Sequence, residues 1–198
     1  MKRNARWCAV AVAGAVACAA VLAMLPVPGR AEPPQVEGIA VEEAPVAVDR
    51  WLVDAGRVRR RFPGEVVGLR PTIVSFTYSA CGATCPVSDL VMGAVEEMLA
   101  RNRRQDVALA TLTLDPLTDT PERLRAHAAK VGAGPLRRFY TGAPADVYAV
   151  LDGLGMRFGR PEDHAAFFLV FEAGGRAGRR MPSSAGPEEL LAAAGEAP

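Results

Sequence analysis

Residues 72–86 read TIVSFTYSACGATCP, and the reading of this stretch decides the fold. Its first part, Thr72 to Tyr78, is β-branched and aromatic, and its near-continuous hydrophobicity predicts a strand covered on both faces. Beyond Pro86, the residues Val87, Leu90, Val91, Ala94, Val95, Met98 and Leu99 recur at helical spacing and predict an amphipathic helix ending near Arg101. Between strand and helix lie Cys81 and Cys85. The first N–H groups of a helix and its macrodipole favour negative charge, so thiolates at this junction are stabilised. Side chains four apart face the same side, with Cβ atoms about 5–6 Å from each other. Two sulfurs so placed can close a disulfide or grip one small ion. Gly82 and Ala83 keep the loop uncluttered, and Pro86 removes an N–H that would otherwise lack a partner.

Outward from this junction the elements alternate. Upstream, Trp51 to Val53 and Val58 to Arg60 flank the turn Asp54-Ala55-Gly56 and predict a short hairpin. Downstream, Val107 to Leu114 predicts a strand. Asp119-Thr120-Pro121-Glu122 supplies an N-cap and an early Pro for a helix reaching about Val131. Phe139 to Thr141 follows as a strand and Pro144 to Leu154 as a helix. Ala166 to Phe171 predicts a buried strand, turned by Gly174-Gly175 into a partner around Arg179, and Ser184 to Ala194 a last helix. Strand-helix-strand-helix, then a hairpin and a helix, is the order of an α/β thioredoxin-like fold: a central mixed sheet flanked by helices, here with an N-terminal hairpin.

The first residues differ in kind. Lys2, Arg3 and Arg6 precede the apolar run from Trp7 to Leu25, 19 residues without a charge. A basic start before an apolar segment marks export, and about 20 apolar residues suffice to cross a bilayer. The positive flank would hold the N-terminus in the cytoplasm and place the domain outside. Residues 1–31 are therefore expected to be a transmembrane anchor or a signal peptide, 32–45 a Pro/Glu-rich tether, and 46–198 one extracytoplasmic domain. Cys8 and Cys18 fall in the apolar run, so Cys81 and Cys85 are the only thiols of that domain. One close pair is a site, not a scaffold of staples.

Twenty-three Lys and Arg against 22 Asp and Glu leave no excess of positive charge that would argue for nucleic acid. The run Arg57, Arg59, Arg60 and Arg61 reads as a solvated hairpin face rather than a phosphate site. Of the two histidines, His127 lies mid-helix between Arg125 and Lys130 and reads as solvent-exposed. His164, after Asp163 and just before the buried strand 166–171, can sit opposite the cysteine loop. Two thiolates and one imidazole make a soft donor set that suits copper or zinc. A structural zinc site fills four positions, and an iron–sulfur cluster asks for four cysteines. Three donors fit an open site holding an exchangeable metal better, and copper best, His164 contributing more to Cu(II) than to Cu(I).

The runs FTYSACGATCP, LTLDPLTDTPE and DHAAFFLVFEAGG together resemble the Sco/SenC/PrrC family of copper-binding proteins associated with cytochrome oxidase assembly. That family carries a Cys-x-x-x-Cys-Pro loop, an Asp-Pro-x-x-Asp-Thr-Pro segment and a distant His commonly preceded by Asp. All three stand here in order, over about residues 46–195. The resemblance implies a metallochaperone rather than an enzyme. It makes Cys81, Cys85 and His164 ligands of copper, as Cu(I) or Cu(II), and places Asp115, Asp119 and Asp163 around them. Asp119 as a helix cap and Asp115 as a strand end remain equally open readings. The family's usual Pro after the first Cys is Gly82 here, and the segment from Gly159 to Glu162 is short. The implied partner is a copper-accepting oxidase subunit, or another copper or thiol protein. A second function, thiol–disulfide exchange on a partner's cysteines, needs Cys81 and Cys85 but not His164. A peroxidase reading lacks the Thr-x-x-Cys pattern before the first Cys.

Overall fold

The computed structural model describes residues 48–80, 85–156, 159–175 and 178–195, with the side chains of Cys85 and Glu162 outside the description. The expected anchor or signal and most of the tether thus lie outside the described residues. No helix among the described residues is long and apolar enough to cross a membrane.

The elements follow the expected order. They are β1 (Arg50–Asp54), β2 (Arg59–Phe62), β3 (Thr72–Thr77), α1 (Cys85–Arg101), β4 (Ala108–Thr113), α2 (Pro121–Lys130), β5 (Arg137–Thr141), α3 (Pro144–Gly153), a 3-10 turn (Pro161–Asp163), β6 (Phe167–Phe171), β7 (Gly178–Pro182) and α4 (Pro187–Gly195). The seven strands form one sheet in the order β2-β1-β5-β4-β3-β6-β7. β3 pairs parallel with β4 and β4 parallel with β5, while β6 runs antiparallel to β3 and β1 antiparallel to β5. The parallel strands are joined by helical crossovers, so both sheet faces are covered. Every residue of β3 and of β6 is accordingly buried.

The period of two along the strands divides the core into two layers. Val74, Phe76, Ala110, Leu112 and Tyr140 point to one face, where α3, Leu52, Phe62 and Phe171 complete a cluster. Ile73, Leu109, Phe168 and Val170 point to the other, where Met92, Val95 and Leu99 of α1 meet Leu190 and Leu191 of α4. The buried face of α1 is rotated from the apolar stripe expected of it. Leu90 is 74% exposed and Val87 54%, while Asp89 and Glu96 are buried. The reason is charge pairing. The Glu96 carboxylate accepts the backbone N–H groups of Gly134, Leu136 and Arg137 at 2.8, 2.8 and 3.2 Å, and Asp89 meets the Arg137 guanidinium. A buried charge is tolerated when its oxygens are hydrogen-bonded or paired; Glu96 is held by three backbone N–H groups, and Asp89 is both paired and hydrogen-bonded. β5 also starts two residues before the expected strand, because buried Arg137 lies over the Phe139 ring at 4.6 Å and bonds Thr111.

Candidate metal centre

The loop from β3 to α1 leaves the carboxyl end of the sheet, the end where open α/β folds place their sites. Thr77 closes β3 by accepting the Leu114 N–H at 2.7 Å. Ser79 is then held from one side: its N–H points at both oxygens of the Asp119 carboxylate, each at 3.1 Å. Asp119 is 1% exposed, and its Oδ2 also accepts the Thr113 hydroxyl at 2.6 Å. Its backbone carbonyl accepts the Thr141 hydroxyl at 2.7 Å, so β4, β5 and the pre-cysteine loop converge on this one residue. The cap of α2 is instead Thr120, whose hydroxyl accepts the Arg123 N–H at 3.3 Å. Asp119 is not the N-cap, because its carboxylate is already committed to Ser79 and Thr113.

Tyr78 is held from the other side. Its ring meets the His164 ring edge-on, centroids 6.3 Å apart and planes at 89°. His164 follows the 3-10 turn, and its Nδ1 lies 2.6 Å from the carbonyl oxygen of Pro161. A carbonyl only accepts, so Nδ1 is the donor, and Nε2 is the ring nitrogen left to offer a lone pair to a metal. Asp163 does not touch the imidazole. It forms a two-pronged pair with Arg160 at 3.1 and 3.2 Å and so clamps the turn that presents His164.

Cys81 lies outside the described residues, and of Cys85 only the backbone is described. Among the described residues no group of three or more His, Cys, Asp or Glu side chains could hold a metal. Tyr78 and Ser79, three and two positions before Cys81, are nonetheless the residues held by His164 and Asp119. α1 begins at Cys85 with no acidic side chain in its first turn to offset the positive end of its dipole. Asp115, after β4, donates its N–H to the Thr113 hydroxyl oxygen at 3.0 Å. Burial pushes the Tyr148 hydroxyl up, and Asp115 adds to the rise.

His127 is not exposed. Only 10% of its side chain is accessible, and Nε2 lies 3.0 Å from Asp89 Oδ2 and 3.3 Å from Thr77 Oγ1. Its ring meets Phe139 edge-on at 5.9 Å. Helical position alone made it look solvated, but α2 turns this face onto the sheet. The result is a buried polar chain from Thr77 through His127, Asp89, Arg137 and Thr111 to Ser75, whose hydroxyl is 2.9 Å from that of Thr111. Burial pushes the Asp89 carboxyl up, but the His127 hydrogen bond and Arg137 outweigh it and hold it below its ordinary value. This chain ties the start of α1, and with it the Cys85 end of the loop, to β3, β4 and β5.

A mixed sheet covered by helices on both faces, with the cysteine loop where β3 runs into α1, defines a thioredoxin-like protein. The same fold appears in Bradyrhizobium japonicum ScoI with copper bound, at 20% identity and TM-score 0.63 over 74% of this chain and 96% of that one. A SCO1/SenC family lipoprotein from Bacillus anthracis is 16% identical with a TM-score of 0.66, covering 75% and 92%. BsSco, described by a disulfide switch and as a member of the Sco family of cytochrome c oxidase assembly proteins, is 16% identical with a TM-score of 0.63, covering 78% and 96%. No curated protein sequence matches the chain. The SCO1/SenC family model matches residues 61–197, and the chain belongs to that family.

Proposed function

We propose that this protein binds copper through Cys81, Cys85 and His164 and delivers it, outside the cytoplasm, to the copper centre of a respiratory oxidase subunit or to another copper or thiol protein. The observation that carries the reading is the His164 tautomer. A metal-binding imidazole characteristically gives its second ring N–H to a carbonyl or carboxylate, which fixes the ring and raises its basicity. The Nδ1–H to Pro161 bond supplies that second partner and leaves Nε2 as the nitrogen for a metal, in a ring that meets Tyr78 three residues before Cys81. Family membership supports copper as the cargo, as do relatives solved with copper bound.

The chemistry follows from the donors. Thiolates at the start of α1 select a soft ion such as Cu(I), and the imidazole adds a donor suited to Cu(II). Three donors leave a position free for an incoming ligand, so an acceptor can take the ion by replacing donors one at a time. Asp119 and the Arg160–Asp163 clamp position the loop and the imidazole without touching the ion. Residues 1–31 serve as the anchor or signal that brings the domain to the acceptor's side of the membrane. The apolar side chains of Leu117, Leu90 and Val87 stand exposed on the loop after β4 and on the first turns of α1, which suits docking of a protein acceptor.

A thiol–disulfide reductase is the second reading, and the undisturbed helix dipole at Cys85 favours it equally. The two part on His164. Titration of the reduced full-length chain with Cu(II) is expected to give an intense visible Cu–thiolate band. His164→Ala should shift or abolish that band while leaving the rate of dithiol–disulfide exchange unchanged. An unchanged band in His164→Ala removes the imidazole from the ligand set and leaves the reductase.

A further inference from the structure

The four-arginine run after the first hairpin turn does not behave as one face. Arg57 pairs with Glu122 at 2.6 Å, and Arg59 and Arg61 flank the Trp51 ring at 5.0 and 5.4 Å. Arg60, opposite Leu52 in the hairpin register, turns inward. Its half-buried side chain enters a cavity of about 120 Å³ beneath the 63–70 loop, lined also by Glu65, Arg70, Ala110, Arg138 and Tyr140. The cavity lies on the sheet face away from α1 and towards the starts of β4 and β5. The cysteine loop leaves the opposite ends of the parallel strands.

We propose that Arg60, Arg70 and Arg138, together with the Tyr140 hydroxyl, form a second binding site, for a small phosphate-like oxyanion. Charge is the first argument. Three guanidinium groups line the cavity against one carboxylate, and that carboxylate, Glu65, is engaged by the Arg61 N–H at 2.9 Å. Arg138 reaches Asp54 only at 3.4 Å, and Arg70 spends one N–H on the Gln105 carbonyl at 2.9 Å. Arg60 Nε is buried with no hydrogen-bond partner among the described residues. Orphaned buried donors are uncommon in native proteins and call for an explanation; of the three buried side-chain atoms without a partner among the described residues, Arg60 Nε is the one whose side chain lines this cavity.

The second argument is chemical fit. Guanidinium presents a rigid fork of donors that matches an oxyanion in a two-pronged way. Burial pushes the Tyr140 hydroxyl up; Arg138 and Arg60 draw it down, Asp54 adds to the rise, and Arg70 draws it down least. The Tyr140 side chain lines the same cavity as the three guanidinium groups and offers its hydroxyl there as a donor. The cavity is far larger than the ~10–15 Å³ one water requires and is open past the exposed Arg70 and Arg138, so an anion can enter.

Free phosphate and a phospholipid headgroup both offer this chemistry. The test is the thermal midpoint of the full-length chain in potassium phosphate against potassium chloride at equal ionic strength, with titration calorimetry for affinity. Phosphate at a hundred times its dissociation constant should raise the midpoint by roughly 5–10 °C over chloride. Arg60→Gln and Arg138→Gln should each weaken binding by roughly 10- to 100-fold and leave the copper band intact. Arg60→Lys, which keeps the charge, guards against misfolding and should bind weakly because the fork is gone. Glycerol phosphate binding more tightly than phosphate assigns the site to a lipid headgroup; weaker binding assigns it to the free anion. Equal midpoints in phosphate and chloride, or a phosphate shift that survives in the Arg60→Gln/Arg138→Gln double variant, overturns the proposal.

Discussion

Substituting Asp89 by alanine should cost this protein more stability than almost any other single change. Asp89 and Arg137 are 6% and 1% exposed at their side chains, and they bond directly. Among the described residues, removing the carboxylate leaves the buried guanidinium with the Thr111 hydroxyl at 2.8 Å as its remaining side-chain acceptor, and it takes the 3.0 Å partner from His127. A buried charge that loses its partner costs about 3–5 kcal/mol, and the remaining attraction of the Glu96 carboxylate sets the loss towards the lower end. Whole domains have only about 5–15 kcal/mol to lose. At roughly 2–4 °C per kcal/mol for a domain of this size, the midpoint should fall by roughly 6–20 °C. Urea denaturation followed by circular dichroism measures the free energy, and a thermal scan the midpoint. The control is the double variant Asp89→Leu/Arg137→Met, which removes both charges and keeps apolar volume. It should recover most of the loss, since a buried pair is worth little over well-packed apolar residues. If Asp89→Ala costs less than about 1 kcal/mol, as an exposed pair would, or if the double variant is no better than the single, the buried-pair argument is wrong.

Other consequences can be measured on the same chain. The Asp89 carboxyl is held below its ordinary 3.8, so its folded value lies under the unfolded one. Its contribution is full above that unfolded value and is lost as pH falls through the folded value; acid titration of stability should show this loss in wild type and not in Asp89→Asn. Asp119→Ala orphans the Ser79 N–H and the Thr113 hydroxyl, at about 1–3 kcal/mol, and hydrogen exchange at Ser79 should speed up while β7 is unaffected. In Gly178→Ala the new Cβ would meet Phe171 ring carbons at 2.9, 3.0 and 3.2 Å. Overpacking there should cost about 1–3 kcal/mol, and a thermal scan showing no loss would mean that the fully buried ring can yield.

The parts of the fold that were legible in the sequence are those with a local cause. Continuous β-branched and aromatic runs announced β3 and β6, turn residues announced the first hairpin, and Thr120-Pro121 marked the start of α2. What escaped was set by partners distant in the chain. Asp89 and Glu96 look like the solvent side of a helix until Arg137 and the 134–137 amides, 38 to 48 residues away, are brought against them. The burial of His127 has the same long-range cause, and Arg137 and Arg138 open β5 without a sequence signal because two adjacent arginines rarely announce a strand. At the site, the Cys-x-x-x-Cys-Pro loop and the later His were visible as donors. The grip of Asp119 on Ser79, rather than on its own helix, had no sequence signal separable from an ordinary cap. The inward turn of Arg60 was foreshadowed only by strand alternation, which is strong for apolar residues and weak for a run of like charges.

The central claim is that two sulfurs and one imidazole nitrogen share a single copper ion. X-ray absorption at the copper edge of the Cu(II)-loaded full-length chain counts those neighbours directly. Two sulfur scatterers and one imidazole are expected, with the imidazole signature missing in His164→Ala. A spectrum without imidazole in the unaltered chain, or one that His164→Ala leaves unchanged, would contradict it.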